Sequence, residues 1–193
     1  MPEPAPANLV LVKHAMPVLE ADVPPRHWQL DDRGEAEASV IASALAEFAP
    51  AQLYTSPEPK ARQTAEIIAP ALGASVRSHP GLVEFDRPAL PLMDEHEHAS
   101  LNRRVFAEPS LAVLGSESAD AAQRRFAAAI DEIVGTAAEH HATIAMSHGT
   151  VISLFVASHN DLDAFDLWQS LRCGGACVLR LPDFALIELL HLT

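Results

Sequence analysis

Short apolar runs separated by longer mixed segments form the main pattern of the chain. Residues 9–12 are a continuous apolar run, which is typical of a buried strand in a parallel sheet, and residues 143–146 predict another short buried strand. Residues 52–55 predict another strand, and residues 75–78 predict a weaker one. Together these runs predict a mostly parallel sheet.

In the segments that follow these strands, apolar residues repeat at the spacing of a helix. Asp31 and Asp32 are good N-caps for a first helix that runs to about residue 48. Its expected core face comprises Val40, Ile41, Ala44, Leu45 and Phe48. Three further helices are expected: one that opens at residues 56–59 and ends at Gly73, one over residues 119–141, and one over residues 150–158.

Two late apolar runs complete the predicted sheet. Residues 176–181 and 185–192 flank Pro182-Asp183 and predict a hairpin at a sheet edge. Strands that alternate with helices predict an α/β protein, a three-layer α/β/α sandwich whose mostly parallel sheet has an antiparallel edge. No linker divides the chain, so we expect a single domain with a flexible tail at residues 1–8 and a variable lid region at residues 85–118.

The composition supports a folded protein and limits its partners. Of the 193 residues, 49% are hydrophobic, which excludes a disordered chain. The formal net charge is −13, from 13 Lys and Arg against 26 Asp and Glu. Such a charge repels nucleic acid and anionic membranes, so neither is expected as a partner. An anionic substrate would therefore need a local basic pocket.

Cysteine usage and the acidic-histidine run 94–98 indicate neither a disulfide framework nor a metal site. The two cysteines, Cys173 and Cys177, are interpreted as small core residues of a reduced, intracellular protein. Consecutive side chains such as those of residues 94–98 cannot all face one ion, so this run predicts a solvated lid. The chain has no secretion signal and no segment long enough to cross a bilayer, which predicts a cytoplasmic location.

Polar side chains suited to phosphate chemistry follow three of the predicted strands. The first strand runs into Lys13 and His14, the second into Ser56 with Lys60 soon after, and the third into His148. In open α/β sheets, ligands collect at the C-terminal ends of the strands. We therefore expect two histidines and two lysines to meet in one crevice.

These motifs, in this order, resemble those of the histidine phosphatase superfamily, which contains cofactor-dependent phosphoglycerate mutases and acid phosphatases. The resemblance extends from residue 9 to about residue 156. Four stretches of the chain carry the resemblance. Lys13-His14-Ala15 is similar to the Arg-His-Gly signature of the family, and residues 54–68 are similar to its Ser-Ser-Pro-x-x-Arg-Ala-x-Gln-Thr-Ala motif. Residues 82–84 match the segment that carries the acid, and Ser147-His148-Gly149 matches the second histidine motif.

The resemblance implies a phosphohistidine mechanism. His14 would attack phosphorus in line and become a transient phosphohistidine, since imidazole is a competent nucleophile when one nitrogen is unprotonated. Glu84 would protonate the leaving oxygen and then accept a proton from water. Asp86 is a close competitor for that role, because the segment lacks the residues that usually follow the acid.

The resemblance also implies which groups hold the phosphate. Protonated His148 with Lys13 and Lys60 would bind the equatorial oxygens, and Ser56 or Thr150 would add a hydroxyl donor. No metal or other cofactor is required.

Two lysines stand where the family has arginines, so the planar fork that binds two phosphate oxygens is lost. Arg62 lies two residues after Lys60, about 200° away around a helix, and is expected at the surface. An arginine from a loop is the remaining source of a guanidinium. The candidates are Arg26, Arg87, Arg103 and Arg104.

The sequence therefore predicts a phosphatase that hydrolyses a small phosphomonoester. The alternatives are phosphoglycerate mutase-type phosphoryl transfer and a catalytically weak phosphate-binding or regulatory module of the same fold. A mutase usually needs more enclosing loop than 193 residues supply. The substrate is not encoded in any motif, and the edge hairpin offers a surface for a homodimer.

Overall fold

A single six-stranded sheet forms the centre of the protein. We describe it from a computed structural model, which covers residues 8–89, 91–136 and 142–193. The strands are β1 (Asn8–Lys13), β2 (Ala51–Thr55), β3 (Val76–Ser78), β4 (Ala142–Ser147), β5 (Gly175–Arg180) and β6 (Ala185–His191). Their order across the sheet is β3-β2-β4-β1-β5-β6.

The first four strands are parallel to one another, and the last two form the antiparallel edge. β1 and β2 both pair with β4 in parallel, and β3 pairs in parallel with β2. β5 runs antiparallel to β1 and forms a hairpin with β6. The predicted mostly parallel sheet with an antiparallel edge is confirmed.

Six α-helices within the described residues cover the sheet. Asp31 caps the first of them as predicted, since its carboxylate accepts hydrogen bonds from the N–H groups of Arg33 and Gly34. None of the described helices is long and apolar enough to cross a membrane. The helices are α1 (Asp32–Leu45), α2 (Pro59–Ile68), α3 (Glu95–Ala107), α4 (Ala119–Gly135), α5 (Gly149–His159) and α6 (Ala164–Ser170).

Two hydrophobic cores, one on each face of the sheet, give the predicted three layers. On one face, Phe126 of α4 and Phe155 of α5 pack against β1, β4 and β5. On the other face, Ile41 of α1 and Ile68 of α2 pack against the same central strands. The central strands are therefore buried on both sides, as their continuous apolar sequences require.

The structure corrects the predicted core face of the first helix. Val40 is 53% exposed, because the buried stripe runs through Gly34, Ala38, Ile41 and Leu45 at spacings of three and four residues. α1 also ends at Leu45 and continues only as a short 3-10 turn over residues 46–48.

Other boundaries differ from the sequence predictions. Asn8, assigned to the flexible tail, belongs to β1, and the rest of the tail lies outside the described residues. α4 ends at Gly135, and the further extension predicted to residue 141 falls largely outside the described residues. α6 was not predicted, because its seven residues are too few to show a clear period.

Candidate active site

The ends of three neighbouring strands bring the predicted residues together. Lys13 of β1 lies beside Ser147 of β4 in register, so His14 and His148 leave the sheet at the same level. Their rings contact edge to face, with centroids 5.1 Å apart. The expected convergence of the two histidines is therefore present.

The hydrogen bond of His14 defines its protonation state. Nδ1 lies 2.7 Å from the carbonyl oxygen of Ala15, which can only accept, so Nδ1 carries the proton and Nε2 has a free lone pair. Burial lowers the pKa of His14 well below its usual value of 6.5, and the neighbouring His148 and Lys60 lower it further. The ring is neutral at pH 7 and its Nε2 is available as a nucleophile.

The surroundings of His148 disfavour the protonated ring that was expected. Burial lowers the pKa of His148 well below 6.5, and the charge of Lys60 adds to the effect. Its Nε2 lies 2.9 Å from the hydroxyl oxygen of Ser56, which itself accepts from the N–H of Glu58. The tautomer decides which of these two atoms donates. Nδ1 is buried and has no hydrogen-bond partner among the described residues.

Ser56 lies one layer behind the cavity and not on its wall. Its contact with His148 places it where it orients the imidazole. Thr150, the other hydroxyl considered, is also buried and accepts a hydrogen bond from Arg87 at 2.7 Å.

The two lysines reach the site from different sides. Lys13 Nζ donates to the carbonyl oxygen of Leu171 at 2.9 Å and passes close to Gly149, where a Cβ would lie 3.2 Å from Nζ. Lys60 is buried, and its Nζ donates to the carbonyl oxygen of Pro25 at 2.8 Å. Arg62 is exposed and pairs with Glu66, as the helical geometry predicted.

Glu58 is a central residue that the sequence analysis did not single out. Its buried carboxylate forms an ion pair with Lys60 and accepts from the N–H of Glu84 at 2.8 Å. The same carboxylate lies 3.5 Å from Nε2 of His148. The sequence signal for this role was the position of Glu58 two residues before Lys60, within a motif in which only the lysine was considered.

Glu84 lines the cavity that contains His14, whereas Asp86 does not. The carboxylate of Glu84 accepts from the N–H groups of Thr150 and Val151 at the start of α5. Asp86 lines a second cavity of about 670 Å³, which contains neither histidine. Hydrogen bonds from Ser116 lower the pKa of Asp86. The geometry therefore favours Glu84 as the acid near His14.

Arg87 is the loop arginine that shares a cavity with His14. Its Nη2 donates to Asn102 at 2.8 Å and to Thr150 at 2.7 Å, and its buried Nε has no partner. The other three candidates lie elsewhere: Arg26 pairs with Asp86 on the second cavity, Arg103 stacks over Phe165, and Arg104 pairs with Glu108 at the surface.

The cavity around His14 has a volume of about 450 Å³. Part of the predicted lid forms one wall, since residues 91–95, His98 and Leu101 all line it. Asp94 and Glu97 form a capping box that starts α3, so the acidic run 94–98 is a helix start and not a loop. In the described parts of the chain, no group of three His, Cys, Asp or Glu side chains is placed to hold a metal ion.

Cys173 corrects another expectation. Cys177 is buried in the core as predicted, but Cys173 is only partly buried and lines the cavity beside Met16. Both thiols are free. Burial raises the pKa of Cys173, which keeps the thiol protonated at neutral pH.

Solved structures share this fold at low sequence identity. Mycobacterial glucosyl-3-phosphoglycerate phosphatase in complex with inorganic phosphate superposes with a TM-score of 0.72 and 20% identity, over 96% of each chain. Phosphoserine phosphatase from Entamoeba histolytica, in complex with 3-phosphoglyceric acid, gives a TM-score of 0.72 and 17% identity, over 96% of this chain and 97% of that one. A comparison with curated protein sequences gives no significant match.

The sequence model of one family covers most of the chain. The model of the histidine phosphatase superfamily, branch 1, matches residues 9–182, from the start of β1 to the turn after β5. This range includes both histidines, both lysines and Glu84, and the α/β sandwich is the phosphoglycerate mutase-like fold of the structural neighbours. The chain belongs to the histidine phosphatase superfamily, branch 1.

Proposed function

We propose that the protein hydrolyses a small phosphomonoester through a phosphohistidine intermediate on His14, without a metal or other cofactor. One observation carries the proposal: His14 holds its proton on Nδ1, bonded to Ala15, and faces a cavity with an unprotonated Nε2. A neutral imidazole oriented in this way is a competent nucleophile at neutral pH.

The reaction proceeds in two balanced steps. First, Nε2 of His14 forms a bond to phosphorus while the bond to the ester oxygen breaks, and protonated Glu84 gives its proton to the leaving alcohol. Second, water attacks the phosphohistidine, Glu84 takes a proton from that water, and inorganic phosphate leaves. The Nδ1 proton stays on His14 throughout, so the nucleophile is regenerated unchanged.

Charged and polar donors around the histidines stabilise the transferred phosphoryl group. Lys13 and Lys60 supply positive charge, and His148, which lines the same cavity, adds a ring N–H donor. Arg87, from the loop after Glu84, adds a guanidinium to a site that has lysines in place of arginines. In this scheme Ser56 orients His148 and does not contact the phosphate.

The fold neighbours favour hydrolysis over mutase-type transfer, since both are named as phosphatases. The buried pair between Lys60 and Glu58 favours a second candidate, a phosphate-binding module with weak turnover. Lys60 is partly neutralised before any substrate binds. Such a module would bind phosphate and lose little when His14 is replaced.

The test is hydrolysis of 4-nitrophenyl phosphate with excess chelator between pH 4 and 8. We expect wild-type turnover to survive the chelator and His14→Asn to lose it by about a thousandfold or more. The asparagine amide can still donate to Ala15 O, so the fold is retained while the nucleophile is removed. An alkaline quench followed by mass spectrometry should show phosphohistidine in the wild type alone.

His96→Asn is the matched control, since His96 is exposed on α3 and does not line the cavity. Turnover that is equal in His14→Asn and wild type would reject the mechanism. A folded wild type that binds phosphate without turnover would establish the binding module instead.

A further inference from the structure

Much of the wall of the His14 cavity is apolar. This apolar part is formed by side chains from the loop after β1, the segment before α3, and α6. These side chains are Met16, Leu19, Trp28, Leu92, Met93 and Trp168. A phosphate group alone does not fill a cavity of about 450 Å³, so this wall is available to the rest of the substrate.

Three of these apolar side chains are exposed to solvent. Met16 and Leu19 are each 45% exposed, and Leu92 is 55% exposed. They belong to two separate segments but line the same cavity, so they surround its mouth. Apolar surface gathered around a cavity marks a ligand site, because an apolar occupant removes that surface from water.

The charged residues of the cavity are divided between its two ends. The basic residues are held at the phosphate end by contacts with other residues. Lys13 donates to Leu171, Lys60 pairs with Glu58, and Arg87 donates to Thr150. No further Lys or Arg lines the cavity within the described residues.

The charged side chains at the mouth of the cavity are acidic. Asp94 and Glu95, both exposed, are the charged residues of the lid segment that line the cavity. His98 adds no positive charge at pH 7, since burial and the nearby Arg87 lower its pKa to about 4. A carboxylate on the leaving group would therefore meet like charge from Asp94 and Glu95. The guanidinium of Arg87, 3.4 Å from His98, already donates to Asn102 and Thr150.

From the apolar wall and the acidic mouth, we infer that the substrate is a phosphomonoester with an apolar, uncharged leaving group, an alkyl or aryl phosphate without a carboxylate. This inference rests on the proposed hydrolysis at His14. It separates the chain from its fold neighbours, whose names specify glucosyl-3-phosphoglycerate and phosphoserine.

The test compares kcat/KM for four alkyl phosphates: ethyl phosphate, n-hexyl phosphate, phosphoserine and 3-phosphoglycerate. All four have alkoxide leaving groups, so differences report recognition more than intrinsic reactivity. We expect n-hexyl phosphate to exceed ethyl phosphate by at least about tenfold, since four methylenes become buried. Phosphoserine and 3-phosphoglycerate should fall at least about tenfold below n-hexyl phosphate.

Two variants assign the preference to these residues. Leu19→Asn combined with Leu92→Asn should lower the hexyl-to-ethyl ratio at least about threefold. Val40→Asn is the matched control, because Val40 is equally exposed but lies on α1 outside the cavity, and its ratio should equal that of the wild type. Asp94→Asn combined with Glu95→Gln should raise the phosphoserine-to-hexyl ratio.

The outcomes separate the inference from the proposed function. If the wild-type protein hydrolysed none of these phosphomonoesters, the proposed phosphatase function itself would be rejected. Turnover that depends on His14 but favours phosphoserine or 3-phosphoglycerate over n-hexyl phosphate would reject the inference alone. A hexyl-to-ethyl ratio that is unchanged in the leucine variant would also overturn it.

Discussion

Glu58 connects three parts of the site at the scale of single residues. Its carboxylate pairs with Lys60, accepts from the backbone of Glu84, and lies 3.5 Å from His148. A buried carboxylate of this kind neutralises the charge of the lysine, which would otherwise be available to bind phosphate. The charge of Lys60 is therefore already balanced within the site, in a protein whose net charge is −13.

Glu58→Gln is expected to tighten inhibition by inorganic phosphate by about tenfold, roughly 1.4 kcal/mol. The amide can keep the bond to the N–H of Glu84 but removes the negative charge that Lys60 now neutralises. The measurement is the inhibition constant of phosphate at pH 7.

Glu66→Gln serves as the control, because Glu66 forms an exposed ion pair on the same helix. An inhibition constant that stays the same or weakens in Glu58→Gln, in a variant that melts cooperatively, would contradict this account of the charge balance.

At the scale of elements, the start of α5 organises the site. His148 is its N-cap residue, and its first backbone N–H groups hold the carboxylate of Glu84. Negative charge is favoured at a helix N-terminus, so the helix anchors an acid that comes from a distant loop. Gly149 begins the helix and leaves room for Lys13 and Trp168.

Gly149→Ala is expected to reduce kcat/KM by roughly tenfold while the fold is retained. The new Cβ would lie 3.2 Å from Nζ of Lys13 and 3.4 Å from Trp168, so the lysine must move from its place. Misplacement of a phosphate-binding group costs transition-state stabilisation. Steady-state kinetics on 4-nitrophenyl phosphate measures the effect.

Gly135→Ala is the matched control on another helix, since no atom of the described residues lies within 4 Å of its new Cβ. We expect unchanged kinetics and a free energy of unfolding raised by about 0.4–1 kcal/mol. Equal kinetics in the two variants would show that Lys13 tolerates the extra methyl group.

At the scale of the whole molecule, the two buried histidines link stability to pH. Both have pKa values well below 6.5 in the folded protein, whereas the unfolded chain takes up their protons near pH 6.5. Below pH 6.5 the unfolded state binds more protons than the folded state. The contribution of these histidines to the free energy of unfolding is therefore fully present above pH 6.5 and is lost as the pH falls.

The free energy of unfolding should therefore decrease between pH 6.5 and 5.5, by up to about 1.4 kcal/mol per histidine. Urea denaturation at a series of pH values measures it. His14→Asn should show a shallower dependence by about one proton, and the exposed His96→Asn should keep the wild-type slope. A slope that is the same in all three proteins would mean that His14 titrates normally in the fold.

Much of the fold and part of the site could be predicted from local pattern. Buried strands have continuous apolar sequences, so β1 and β4 were found, and parallel strands end at one edge, so His14 and His148 were expected together. The α1 core face was only partly found, because Val40 is apolar but lies off the buried stripe. The short helix α6 lacked a detectable period.

The sequence by itself determined the layers, the family and the residues at the strand ends, because burial periodicity and strand direction are local properties of the chain. Only the tertiary structure decided which groups come together: that Glu58 pairs with Lys60, that Arg87 lines the cavity of His14, and that burial lowers the pKa of His148. Ion pairs, desolvation and cavity walls depend on distances between segments remote in sequence, and those distances exist only once the layers have packed.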